Sequence, residues 1–113
     1  MKAEVRLAGQ ALEEYNKLCV VAEQETTNSE NRVLLDSIKQ KVEWLKEDPL
    51  KGEVIKKKDI PRELDVDNLF KLRIAKFWRM LYTIRRDEIK IICFILVIEP
   101  HKHYNKRFGF KKR

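Results

Sequence analysis

Before Gly52 the apolar residues recur every three or four positions, and after it they recur every second position. A period near 3.6 belongs to helices with one buried stripe, and a period of 2 belongs to strands with one buried face. From Gln10 to Gln24 the stripe is Ala11, Tyr15, Leu18, Cys19 and Ala22, which predicts a first helix. Thr26, Thr27, Asn28 and Ser29 form a polar break, and any of them can accept a hydrogen bond from the free N–H groups that open a second helix. The second stripe is Val33, Leu34, Ile38, Val42 and Leu45 with Trp44 beside it, all expected in the core. It ends at Glu47-Asp48-Pro49, because the residue before proline is pushed out of the helical region. Two amphipathic helices with a short polar turn pack as an antiparallel hairpin.

Beyond Gly52, Glu53 to Lys58 is a short strand candidate, and Pro61, Glu63, Asp65 and Asp67 mark a turn-rich link. Leu69 to Ala75, Phe77 to Arg85 and Glu88 to Ile98 are rich in β-branched and aromatic residues and read as strands, with a tight turn at Arg86-Asp87. Lys2 to Leu7 alternates loosely and fits a short first strand. The order predicts an α+β fold, a single domain over 1–113, with an N-terminal helical hairpin (8–48) packed on one face of a small antiparallel sheet (53–98) and a basic aromatic tail (99–113). Strand parity then sorts the side chains. Phe70, Leu72, Ile74, Trp78, Met80, Tyr82 and Ile84 fall on the face under the helices, and Lys71, Arg73, Arg79 and Arg85 fall on the other. The last strand is apolar on both sides and is expected to be central.

The charge is as unevenly distributed as the periodicity. Residues 1–50 hold 7 Lys/Arg against 10 Asp/Glu, a net of −3, and residues 51–113 hold 18 against 8, a net of +10. A basic region of this kind is the footprint of a polyanion partner, although a solvated surface carries such charges too. Cys19 and Cys93 lie in apolar stretches with no ligand-spaced Cys or His near them, which argues for small buried hydrophobes rather than a disulfide or metal site. Met1 to Gly9 has no apolar signal core, and the longest apolar run, Ile91 to Ile98, is too short to span a bilayer, so a cytoplasmic protein without membrane association is expected.

The segment NLFKLRIAKFWRMLYTIRRDEIKIICFILVI, Asn68 to Ile98, resembles the core of the RelE/ParE superfamily of toxins. The resemblance rests on Leu69 to Arg73, on Phe77-Trp78-Arg79-Met80-Leu81-Tyr82, on Asp87-Glu88 and on the apolar strand Ile89 to Ile98. The hairpin and the link DPLKGEVIKK fit in order and length, so the likeness covers nearly the whole chain. It implies a type II toxin neutralised by a cognate antitoxin. RelE-like members cleave mRNA on the ribosome, whereas ParE-like members inhibit gyrase without nuclease chemistry, so fold leaves the activity open.

For a nuclease the resemblance assigns Arg79 to stabilising the transition state and Arg73 to a neighbouring phosphate, where a planar guanidinium binds bidentately. Lys56, Lys57 and Lys58 fall where family members contact RNA, and Lys71, Lys102 and Lys106 extend that basic set. A triple lysine also fits an ordinary solvated edge. His101 or His103 supplies the acid, since imidazole titrates near physiological pH, and Tyr104 stacks on a base or activates the hydroxyl. The His-to-Tyr interval is shorter than the family's and Pro100 intervenes, so either histidine fits the role. No carboxylate matches the glutamate base of some relatives. Phe108, Gly109, Phe110 and Lys111-Lys112-Arg113 suit stacking and backbone tracking, with Phe108 packed on the hairpin as the alternative. The expected function is a RelE-like endoribonuclease that uses no metal or small-molecule cofactor and meets mRNA on the ribosome. The rivals are a gyrase inhibitor and a catalytically decayed binder of RNA or antitoxin.

Overall fold

The computed structural model describes residues 2–24, 29–75 and 77–108. Strand β1 (Glu4–Leu7) leads into α1 (Gly9–Glu23), followed by α2 (Glu30–Glu47), β2 (Glu53–Val54), two short 3-10 turns (Lys57–Asp59 and Arg62–Leu64), β3 (Phe70–Ile74), β4 (Trp78–Arg86), β5 (Ile91–Pro100) and α3 (His101–Arg107). The strands form one five-stranded sheet in the order β1-β5-β4-β3-β2. Every pairing is antiparallel except β1 with β5, which is parallel. The expected α+β architecture holds, with the helices at the N-terminal end packed on a mostly antiparallel sheet. Strand β5 is interior, as its two apolar faces suggest, and β4 holds the middle of the sheet.

Ser29 is the cap of α2, its Oγ accepting the Arg32 N–H at 3.1 Å, while Thr26, Thr27 and Asn28 lie outside the described residues. The α2 stripe differs from the expected one. Leu34, Leu35, Ile38 and Leu45 are buried, whereas Val33 is 53% and Trp44 41% exposed. Leu35, Ile38, Val42 and Leu45 follow steps of three and four, and at 100° per residue Val33 and Trp44 rotate off that line. Trp44 instead lies beneath the ammonium groups of Lys41 (4.1 Å from the ring centre) and Lys51 (5.5 Å).

The main core lies between hairpin and sheet, where Leu18, Leu34 and Ile38 meet Ile74, Met80, Tyr82 and Ile95. Tyr82 also anchors the link after α2, donating to the Pro49 carbonyl at 2.9 Å and accepting the Gly52 N–H at 2.8 Å. Gly52 comes so close that a Cβ there would lie 2.6 Å from Tyr82 Oη and 2.8 Å from the Lys71 carbonyl oxygen. Cys93 is buried in this core, and burial pushes its thiol up to about 12, so it behaves as the expected hydrophobe.

A second apolar cluster covers part of the opposite face, where Ile55, Leu69, Leu81, Val97 and Tyr104 pack together with Phe108 against them. A bulge makes this possible. Leu81 pairs with Val97 and Tyr82 with Ile95, which leaves Leu96 as the extra residue and places Leu96 and Val97 together on the outer side. The side chain of Gln10 bridges the distorted strand, donating to the Ile98 carbonyl and accepting the Ile98 N–H, both at 2.9 Å.

Three boundaries differ from expectation. The turn between β4 and β5 spans Asp87 to Lys90, with Asp87 Oδ1 accepting both the Ile89 and Lys90 N–H groups at 2.8 Å. Strand β5 runs through Glu99 and Pro100, and the expected tail coils into α3 over His101–Arg107. Phe108 packs on Tyr104, 4.6 Å between ring centres, and not on the hairpin, while Gly109 to Arg113 lie outside the described residues. Among the described residues no helix is long and apolar enough to cross a membrane.

Candidate active site

The outer face is apolar at one place and cationic at the next. Beside the second cluster, β2, β3, β4 and the start of α3 enclose an open cleft of about 400 Å³. Lys71, Arg73 and Arg79 rise from its floor, His101 and Tyr104 form one wall, and Lys51 and Glu53 form the opposite one.

Strand register explains the grouping. Lys71 stands opposite Glu53, and its Nζ lies 3.0 Å from Glu53 Oε2. Its ammonium is also 5.5 Å from the centre of the Tyr104 ring. Desolvation works to lower the pKa of Lys71, but Glu53 and Tyr104 outweigh it, so the proton is held more tightly than in a free lysine. Lys71 is therefore a fixed cation and a poor base.

Arg73 stands directly opposite Arg79, and among the described residues neither guanidinium pairs with a carboxylate. Among the described residues the Arg79 guanidinium donates to the carbonyl oxygen of its neighbour Trp78, at 3.0 Å. Burial first, and the Arg73 charge second, lower the pKa of Arg79, so the protein gives this cation less support than water would. Like charges directly opposed across a sheet are destabilising, by up to about 1 kcal/mol. An anion between them removes that cost and gains two forked donors.

Helix α3 places the two histidines in different cavities. His101 and Tyr104 are three residues apart on one helical face, their rings stacked with centres 6.2 Å apart. The His101 backbone N–H donates to the Phe77 carbonyl at 2.5 Å, which ties the first turn of α3 to the start of β4. His103 points to the other side, into a separate cavity lined by Glu63, Glu99, Lys106 and Arg107. Tyr104 is only 4% exposed and is packed in the second cluster. Its ring is thus unavailable as a stacking platform, and its place is in the cleft wall.

The remaining basic candidates stand apart from the cleft. Lys56 precedes the first 3-10 turn, Lys57 and Lys58 are within it, and all three are exposed rather than on the expected strand. The segment leaves the sheet after Val54, where the Ile55 N–H bonds the Leu69 carbonyl and the Ile55 side chain turns into the second cluster. Lys102 is exposed on α3, and Lys106 lines the His103 cavity. Arg85 lies six residues along β4 from Arg79, roughly 20 Å at strand spacing, with its guanidinium 6.0 Å from the Phe94 ring centre.

Two cleft residues escaped the sequence reading. Lys51 and Glu53 flank Gly52, and the close approach of Gly52 to Tyr82, with the pairing of Glu53 and Lys71, brings them to the edge of β3. Glu99, 4% exposed and bonded by Arg107, was also passed over, although a lone acid directly after an apolar run is a signal that could have marked it. Among the described residues no group of His, Cys, Asp and Glu is placed to hold a metal ion. Comparison with protein-family models, with curated proteins and with solved structures returned no match for the chain.

Proposed function

We propose that the protein is a RelE-like toxin, an endoribonuclease that cleaves ribosome-bound mRNA without a metal and is neutralised by a cognate antitoxin. The observation that carries this reading is the opposed, carboxylate-free pair Arg73 and Arg79 in a cleft that also holds an imidazole, a phenol and one carboxylate. The family likeness of the β3–β5 sequence supports it, as does the +10 charge of residues 51–113.

In this mechanism Arg79 faces the scissile phosphate and Arg73 an adjacent one, neutralising the charge that builds on the phosphoryl oxygens. Glu53, the one carboxylate lining the cleft, takes the proton of the 2′-hydroxyl, and the fixed cation Lys71 orients it. The 2′-oxygen attacks phosphorus, the bond to the 5′-oxygen breaks, and His101 gives its proton to that leaving oxygen. The products are a 2′,3′-cyclic phosphate and a 5′-hydroxyl. Tyr104 fixes the His101 ring by stacking and bounds the cleft beside Lys71.

The test is induced expression of wild type and Arg79→Ala in growing cells, with mapping of new mRNA 5′ ends across translated reading frames. Cuts at ribosome-occupied codons that fall about 10²–10³-fold in the variant are the expected result. Growth arrest without cuts, unchanged by Arg79→Ala, points to a protein-target inhibitor, and no arrest by soluble wild type points to a decayed binder.

A further inference from the structure

Glu99 and Arg79 are register partners across β5 and β4 and share the outer face of the sheet, yet they do not pair. Side chains opposed in this way start from Cβ atoms about 4.5–5.5 Å apart, so a change of rotamer suffices to join them. Glu99 is gripped from the other side by Arg107, in the last turn of α3. Arg107 Nε donates to Oε2 at 3.0 Å and Nη2 to Oε1 at 2.9 Å, while Nη1 reaches Glu63 Oε1 at 3.0 Å.

We infer that Arg107 is a positioning residue that holds the Glu99 carboxylate away from Arg79 and so keeps Arg79 open to a phosphate. The inference rests on the phosphate-binding reading of the cleft. A carboxylate buried this deeply needs a cation; Arg107 supplies it, and Arg79, its register partner on β4, is the other cation on that face. The forked grip of Arg107 satisfies both carboxylate oxygens at once, which leaves Arg79 to the cleft. Without Arg107, Glu99 turns to Arg79, and an internal anion occupies the place of the RNA phosphate.

The experiment compares wild type, Arg107→Met, Arg107→Lys, Glu99→Gln and the Arg107→Met/Glu99→Gln double variant. The Arg79 side-chain N–H resonances of the free protein report its partner. Fluorescence anisotropy with a short 2′-O-methyl oligoribonucleotide, which cannot be cut, reports affinity. In Arg107→Met the Arg79 resonances should move to those of an ion-paired guanidinium and affinity should fall about tenfold, the worth of one charge-assisted hydrogen bond. Glu99→Gln should bind like wild type, and the double variant should recover both the resonances and the affinity. Arg107→Lys keeps the charge without the fork, folds where the Met variant fails to, and should show the same shift at lower amplitude. Arg79 resonances unmoved in both Arg107 variants overturn the inference, as does an affinity loss that Glu99→Gln leaves unrepaired. A moved Arg79 signal in a protein whose wild type ignores the oligonucleotide upholds the partner exchange and overturns the RNA reading.

Discussion

Beneath the helical hairpin, Met80, Tyr82 and Ile95 are wholly shielded, and the one buried hydroxyl among them, that of Tyr82, has both a donor and an acceptor. One residue along β4, on the opposite face, Arg79 and its partner Arg73 stand without a carboxylate partner among the described residues. The same alternation builds both faces, yet the chain completes only one of them. The completed face fixes the fold, and the other sets two like charges in register across β3 and β4. Polar groups that a protein leaves unbalanced at the end of a well-packed sheet are a better guide to its work than the packing is.

The sharpest way to break this comparison is to remove the imidazole from the cleft wall. His101→Ala should lower RNA cleavage about 10²–10⁴-fold. His103→Ala, two residues away on the other side of α3, should leave it unchanged, and thermal melts should show both variants folded. Equal losses would mean that the cleft is not where the chemistry occurs. On the completed face, Met80→Ala should cost about 2–5 kcal/mol in urea unfolding, because it opens a cavity where relaxation is confined by strands on both sides. Gly52→Ala tests the junction between the two faces. Its Cβ would sit 2.6 Å from Tyr82 Oη, so a loss of about 1–3 kcal/mol is expected, together with displacement of Lys51 and Glu53 from the cleft.

The smallest effect concerns the β4–β5 turn. Asp87 accepts two backbone N–H groups, and these hold its carboxyl below the usual range. A depressed folded pKa contributes stability that is present above the unfolded value, about 3.9, and fades as pH falls through the folded one. Asp87→Asn should therefore flatten the decline in stability below about pH 4 and leave the rest of the curve nearly parallel. A decline that stays as steep in the variant would assign the acid sensitivity to other carboxylates.

Much of the fold was legible because it is local. Stripe spacing placed α1 and α2, the polar run before Val33 contained the cap Ser29, and alternation placed Met80 and Tyr82 opposite Arg79. What was not legible depends on pairing between distant segments. The parallel seat of β1 beside β5 has no local mark in a four-residue strand. The bulge at Leu96 interrupts alternation within an unbroken apolar run, which hides the second cluster. Within the candidate site, Arg73, Arg79, Lys71, His101 and Tyr104 do meet, but that His101 and not His103 lines this cleft needed the helical turn that follows Pro100. Glu53 needed the approach of Gly52 to Tyr82.

The parallel pairing of β1 has a consequence in time. Glu4 lies beside Ile92, 88 positions later, and a contact between such distant residues forms slowly and late. As the chain leaves the ribosome, the hairpin is made long before the strand that joins it to the sheet. Residues 91–107 complete both β5 and the His101 wall of the cleft. Completion of the scaffold and of the cleft wall is thus a single late event, and a nascent chain carries Arg73 and Arg79 well before the residues that surround them are in place.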